Sequence, residues 1–284
     1  MKFLALVLKN LGRVLREPLG LVGFGLALAL VLSAVFATTI ATHDPIGLKV
    51  MDRLQGPSAE HWLGTDQLGR DLYSRVLYGG QVALQVALVA VGAALSIGLV
   101  LGMLAGFGPP WLDNALMLLF DTLRSFPTVM FALAVVTLIG PSLGTVILVV
   151  VITSIPTYGR LARTQTQSLK HAEFILAERA MGAGMGRILT VHILPNVVGP
   201  LLILASMDIP VVITIEAGLS FLGLGVRPPT PSWGSILNDG YSFVRNSPWP
   251  LIAGGLPLIL TTIAFTFLGE TLRDVFDPRI ARER

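Results

Sequence analysis

Long apolar runs alternating with short polar stretches organise this chain. Charge-free runs extend from Leu19 to Thr42 and from Val76 to Leu112, and further apolar runs cover about 115–139, 143–159, 197–222 and 249–269. A helix needs about 20 residues to cross the hydrocarbon core of a bilayer. The pattern therefore predicts six transmembrane helices over about 19–41, 81–105, 115–139, 143–159, 197–222 and 249–269. Breaks fall where glycine and proline cluster, at Gly106-Phe107-Gly108-Pro109-Pro110 and at Gly140-Pro141-Ser142-Leu143-Gly144. Within the second run Gly92, Gly98, Gly102 and Gly106 recur at four- to six-residue intervals, a spacing that lets helix backbones approach closely.

Composition agrees. Of 284 residues 53% are hydrophobic and 13% charged, against about 25% charged in soluble domains. The fold class is an all-α integral membrane protein. Residues 1–18 place Lys2, Lys9, Arg13 and Arg16 among leucines and valines, which predicts an amphipathic helix lying on the inner leaflet. The 24 uncharged residues that follow exceed the roughly 7–15 of a signal-peptide core, so the first span is expected to be uncleaved. The six-span domain then covers 19–284. Placing both termini and the 160–195 loop inside puts thirteen Lys/Arg there, against six in the outside loops 43–79 and 226–248. That bias orients the chain with cytoplasmic ends, and it accounts for the net charge of +3 without nucleic acid. There are no cysteines, so disulfides and thiolate metal sites are excluded.

The most structured polar stretch is 160–195. Leu169, Ala172, Leu176, Ala177 and Ala180 recur at helical spacing, Gly182-Ala183-Gly184 breaks the run, and a second short helix, Arg187 to Ile193, is expected before Pro195. Helix, glycine turn, helix reads as a docking piece rather than a connector. A second stretch, HWLGTDQLGRDLYSRVLYGG from His61 to Gly80, reads as a turn leading into a helix whose acids, Asp66 or Asp71, favour the positive end of its dipole. Glu60 and His61, with only His43 nearby as a further nitrogen ligand, carry no metal motif, and no metal site is assigned. Asp121 and Arg124 are three residues apart and expected to pair. The loop at 226–248 is expected to fold over the mouth of the molecule with Trp233 and Trp249 at the membrane interface.

Asp208 and Glu216 fall inside the fifth span, eight residues apart, so both can face one cavity. Pro210 between them removes a backbone donor and is expected to open the helix. Either they line a translocation pathway with Ser220, or they pair with a partner subunit or position Ser206 and Ser220.

Several of these stretches resemble the membrane subunits of ATP-binding-cassette (ABC) importers, in the dipeptide, oligopeptide and nickel branch. His61-Trp62-Leu63-Gly64-Thr65-Asp66, with Gly69-Arg70-Asp71, is similar to the segment after the first span of those permeases. Gly182 and Ile193-Leu194-Pro195 match the spacing of their coupling loop, and Glu173-Phe174 matches the pair just ahead of it. The leading glutamate of that motif is absent: the places read Leu176-Ala177-Glu178. Ser125-Phe126-Pro127, Glu216 to Gly225, Pro231-Ser232-Trp233-Gly234 and Gly269 to Arg279 extend the likeness along nearly the whole chain. The resemblance implies a type I importer permease fold with a cytoplasmic coupling helix. It further implies contacts to an ATPase through Glu173, Leu176, Ala177, Glu178, Ala180, Gly182 and Ala183. The implied partners are a second permease, two ATPases that bind the ATP and magnesium, and an extracytoplasmic binding protein, at a bacterial inner membrane.

The chain itself has no Gly-Lys dipeptide and hence no phosphate-binding loop. His-Glu-x-x-His is absent, and Gly218-Leu219-Ser220-Phe221-Leu222 lacks the second glycine of a nucleophile elbow. A subunit of an importer for short peptides is thus expected, with no cofactor of its own. Nickel or another small solute is the alternative cargo, and a stand-alone carrier using Asp208 and Glu216 or an intramembrane enzyme are competing classes.

Overall fold

The computed structural model describes residue 12 and residues 17–276, so most of the amphipathic segment expected over 1–18 and the end of the 269–279 stretch lie outside the described residues. The long helices are α1 (Pro18–Val35), α2 (Leu72–Phe107), α3 (Pro110–Ser125), α4 (Thr128–Ile139), α5 (Leu143–Leu169), α6 (Glu173–Ala180), α7 (Met185–Phe221), α8 (Trp233–Ser242) and α9 (Trp249–Phe276). Among the described residues five helices are long and apolar enough to cross a membrane. The bent pair α3–α4 raises this to six.

Where helix ends depart from the apolar runs, local chemistry explains it. α2 begins nine residues before the expected span, because Asp71 accepts the Ser74 amide at 2.8 Å and caps a polar first turn. α5 continues ten residues past the expected 159 and carries Pro156 inside it, since a helix need not stop where lipid does. α3 and α4 meet at 87°, so the run at about 115–139 is not one straight helix. Phe126 is extended there, as a residue preceding proline prefers. Pro210 lies inside unbroken α7 and does not open it. Pro195 does not end the preceding helix either. Residues Ile188–Ile193 form a π-helical stretch, a wider turn that accommodates the proline ring.

The chain divides into two compact units, 17–88 with 132–146 and 206–276, and 89–131 with 147–205. In the first, α1 lies against α9. A Cβ on Gly23 would stand 2.7 Å from the Leu268 amide, so only glycine permits this approach. Ala27, Ala264 and Phe265 form the core there, flanked by Leu26, Leu30, Ile209 and Leu268. α8 is started by a capping box in which Ser232 and Ser235 exchange hydrogen bonds. Trp233 is buried, not interfacial: its indole Nε1–H donates to the Val76 carbonyl at 2.8 Å and its ring covers Gly79 and Gly80. Trp249 remains partly exposed.

The second unit is built on a glycine seam. Gly98, Gly102 and Gly106 of α2 face Tyr158, Gly159, Ala162 and Thr166 of α5, with no room for a Cβ at any of the three. Gly92 faces open space and takes no part. Phe120 of α3 fills the site over Gly159. Asp113 is held by the Arg163 guanidinium through Nε and Nη2, the latter at 2.6 Å. Asp121 pairs with Arg160 rather than with Arg124, because the α5 guanidinium reaches it across the helix pair while Arg124 turns to Thr157.

Candidate functional site

The stretch read as a docking piece contracts to 170–184, because its two ends belong to α5 and α7. α5 ends where Ala172 turns extended (φ −63°, ψ 145°). α6 follows for eight residues, and Gly182 closes it at φ +83°. The Gly182 amide donates to Arg179 O at 2.9 Å and the Ala183 amide to Glu178 O at 3.0 Å. This is a Schellman turn, which needs a left-handed residue at Gly182. The predicted continuous periodicity from Leu169 to Ala180 is therefore interrupted at 170–172.

One face of α6 is anchored. Ile175 is fully buried, and the Glu178 carboxylate lies 3.1 Å from His192 Nε2 and 3.7 Å from Arg187 Nε, both on α7. Lys170 donates to Gly108 O at 3.3 Å, and the Arg179 guanidinium stacks over the Phe107 ring at 4.7 Å. The other face is open: Phe174, Leu176 and Met181 are exposed apolar residues, and Glu173, Ala177, Ala180 and Gly182 are exposed beside them. Ala183 is half-buried. The two carboxylates are thereby separated. Glu178 braces the loop from within, and Glu173 stands on the open face without a side-chain partner among the described residues.

A second polar centre, in the other unit, holds the His61–Gly80 stretch. Asp66 is 1% exposed and accepts the Leu68 and Arg70 amides at 2.8 and 3.0 Å, then Arg70 Nε at 2.6 Å. Arg75 Nε lies 3.4 Å from the same carboxylate, and Asp239 of α8 receives Arg70 Nη2 at 3.2 Å and faces Arg75 Nη2 at 3.7 Å. Gly64 and Gly69 sit at φ +80° and +72°, and a side chain at Gly69 would run into the Lys49 carbonyl. The sequence flagged Asp66, Arg70 and Asp71. It did not reveal Arg75 or Asp239, whose partners lie far along the chain or one turn out of the apolar register. A cavity of about 510 Å³ opens beside this network, lined by Arg70, Arg75, Ser220, Asn238 and Asp239 among others.

Ser220, which lines that cavity, is hydrogen-bonded to Glu216. The Glu216 carboxylate is fully buried and accepts the Ser220 hydroxyl at 2.7 Å, while Oε2 has no hydrogen-bond partner among the described residues. Asp208 is half-buried. Of the predicted trio, Glu216 and Ser220 are brought into direct contact.

Among the described residues the fold is that of an integral membrane protein that presents an exposed, braced helix between two long apolar helices. Residues 98–282 match the family described as binding-protein-dependent transport system inner membrane component, and the chain belongs to that family. It is 38% identical over 265 residues to the dipeptide transport system permease protein DppC of Alkalihalophilus pseudofirmus, covering 93% of this chain and 87% of that one. It is 39% identical over 269 residues to the glutathione transport system permease protein GsiD of Pectobacterium atrosepticum, covering 94% and 89%. Among solved structures, the inward-facing MetNI methionine ABC transporter superposes with a TM-score of 0.58 at 19% identity, over 72% of this chain and 97% of that one. The chain is thus an ABC importer permease component, not an enzyme.

Proposed function

We propose that this chain pairs with a second, similar permease to form the membrane pathway of an importer for short peptides. Two ATPase subunits would drive it from the cytoplasmic side, and an extracytoplasmic binding protein would deliver the cargo. The observation that carries this reading is α6, a short helix with an open apolar face, clamped behind by Ile175, Glu178–His192 and Arg179–Phe107. A rigid, exposed helix transmits a push, whereas a flexible loop would absorb it. The positive-inside bias of the sequence supports a cytoplasmic α6 and cytoplasmic termini. The dipeptide and glutathione permeases it resembles support a peptide cargo. ATP and magnesium would sit in the ATPases, since this chain lacks a phosphate loop.

On this reading the open face of α6, with Glu173, Leu176, Ala177 and Ala180, meets the ATPase, and Gly182 and Ala183 set its exit angle. The cavity bounded by Ser220 and backed by Glu216 opens to the pathway. Reconstitution tests the whole: this chain alone in liposomes is inert, and uptake appears only with the second permease, the ATPases and the binding protein. Transport by the chain alone would overturn it.

Two substitutions separate the acids of the loop. Glu173→Lys reverses charge on the open face and is expected to weaken ATPase co-purification with no change in the thermal midpoint. Glu178→Gln removes an internal brace, so it lowers the midpoint by a few degrees and leaves ATPase binding largely intact. Glu216→Gln keeps the side-chain shape and is expected to reduce uptake while complex assembly, followed by size-exclusion chromatography, is retained. Loss of assembly with normal uptake per complex would instead make Glu216 a packing residue.

A further inference from the structure

We propose that His43, Glu60 and His61 form a binding site for a divalent transition-metal cation of the zinc class. The three residues are distant from any sequence motif for metal, yet one ligand atom from each lies within 4.8 Å of the others. The His43 and His61 rings are 4.7 Å apart between centroids and tilted by 35°.

The hydrogen bonding around His61 fixes its chemistry. His61 is 2% exposed, and its Nδ1 stands 2.9 Å from Asp71 Oδ1. The other oxygen of Asp71 accepts both the amide and the hydroxyl of Ser74, at 2.8 and 2.7 Å. An ionised carboxylate only accepts, so Nδ1 carries the proton and Nε2 presents a lone pair. That Nε2 is buried and has no hydrogen-bond partner among the described residues. A histidine with one nitrogen given to a carboxylate and the other bare is the arrangement that outer-sphere carboxylates impose on metal-bound imidazoles.

Ligand chemistry selects the ion. Two imidazoles and one carboxylate suit zinc, nickel or copper, and leave an open fourth position for water. Calcium and magnesium require more oxygen ligands than this cluster offers. Metal–ligand bonds of about 2.0–2.2 Å require the group to tighten. The residues that shift are the exposed Glu60 and the half-buried His43, whose Nδ1 gives up or keeps its 3.0 Å contact to Thr42 Oγ1 according to which ring nitrogen meets the ion. Lys49 lies 3.5 Å from Glu60, but both side chains are more than half exposed, so this contact yields readily to a divalent ion. A cavity of about 210 Å³ between His43, Asp44, Lys49, His61 and Asp71 leaves space for the ion and its water. A bound ion would cross-link the residues just after α1 to the turn that precedes α2.

The test uses the assembled complex, stripped with a chelator and titrated with zinc against a chromophoric competitor. The chain has no cysteine, and its two other histidines, His171 and His192, are far along the sequence. The wild type is expected to bind one equivalent that the His171→Gln/His192→Gln variant retains and that His43→Gln and His61→Gln lose. Glu60→Gln is expected to weaken it by about tenfold or more, and Asp71→Asn by about 10–100-fold through the orientation of His61. Cobalt in place of zinc should give visible tetrahedral bands without thiolate charge transfer. Should His61→Gln fail to assemble, the surface variants His43→Gln and Glu60→Gln decide. Wild-type zinc affinity in both, or no zinc retained by the wild type, would overturn the proposal. Uptake is not the readout, so the outcome stands apart from the transport role.

Discussion

Gly182→Val is expected to cut uptake by about tenfold or more while the complex still assembles and hydrolyses ATP. Gly182 adopts φ +83°, where it closes α6 with two backbone hydrogen bonds. An L-residue in that region costs roughly 1–2 kcal/mol, and a β-branched one more. About 1.4 kcal/mol is a tenfold change in population. Nothing lies within 4 Å of a Cβ at this position, so strain is purely conformational and the spans are not disturbed. The valine variant would reshape the exit of α6 and misalign its open face. Gly182→Ala should be milder, and Gly182→Asn milder still, since asparagine tolerates left-handed angles. Uptake and ATP hydrolysis measured on the same proteoliposomes check this. Wild-type uptake in the valine variant would remove the coupling role of the turn.

Asp66→Ala is expected to have the largest effect on stability. Asp66 accepts two amides and Arg70 Nε, and stands 3.4 Å from Arg75. Without it, two buried guanidinium groups share, among the described residues, only Asp239, whose side chain is 26% exposed. Removing one partner of a buried ion pair costs about 3–5 kcal/mol, because the remaining charge stays desolvated. Whole-domain stabilities are about 5–15 kcal/mol. The alanine variant should therefore show a fall of many degrees in the thermal midpoint of the purified complex, or fail to accumulate. Asp66→Asn, which keeps the shape and one acceptor, should fall between. Asp239→Asn should cost less than either, as a partly exposed carboxylate is easier to replace. Equal midpoints for wild type and Asp66→Ala would show that Arg70 and Arg75 are neutralised elsewhere.

The membrane character, the helical class and the family likeness follow from local features. A twenty-residue apolar run satisfies its backbone within itself in lipid only as a helix, and Gly182-Ala183-Gly184 at the end of a helical run signals a turn. The site was only partly legible. Glu173 and Glu178 look alike in sequence, and their separation into an open and a bracing carboxylate depends on His192 and Arg187 arriving from α7. Trp233 carried the mark of an interfacial residue, but Gly79 and the Val76 carbonyl offered it a buried seat. Asp121 took Arg160 in place of Arg124, because a partner on an adjacent helix can present its charge more directly than one three residues away.

By itself the sequence pointed to a helical chain with runs long enough to span a membrane, to close packing at Gly98, Gly102 and Gly106, and to the break at Gly182. Those are consequences of periodicity and of single-residue conformational preference, and both act over neighbouring positions. Only the tertiary structure decided which buried charges share a network, which loop carboxylate is free, where the third run bends, and that His43, Glu60 and His61 meet. Charges and lone pairs are settled by neighbours in space, and in this protein those neighbours come from positions as far apart in the chain as Arg70 and Asp239.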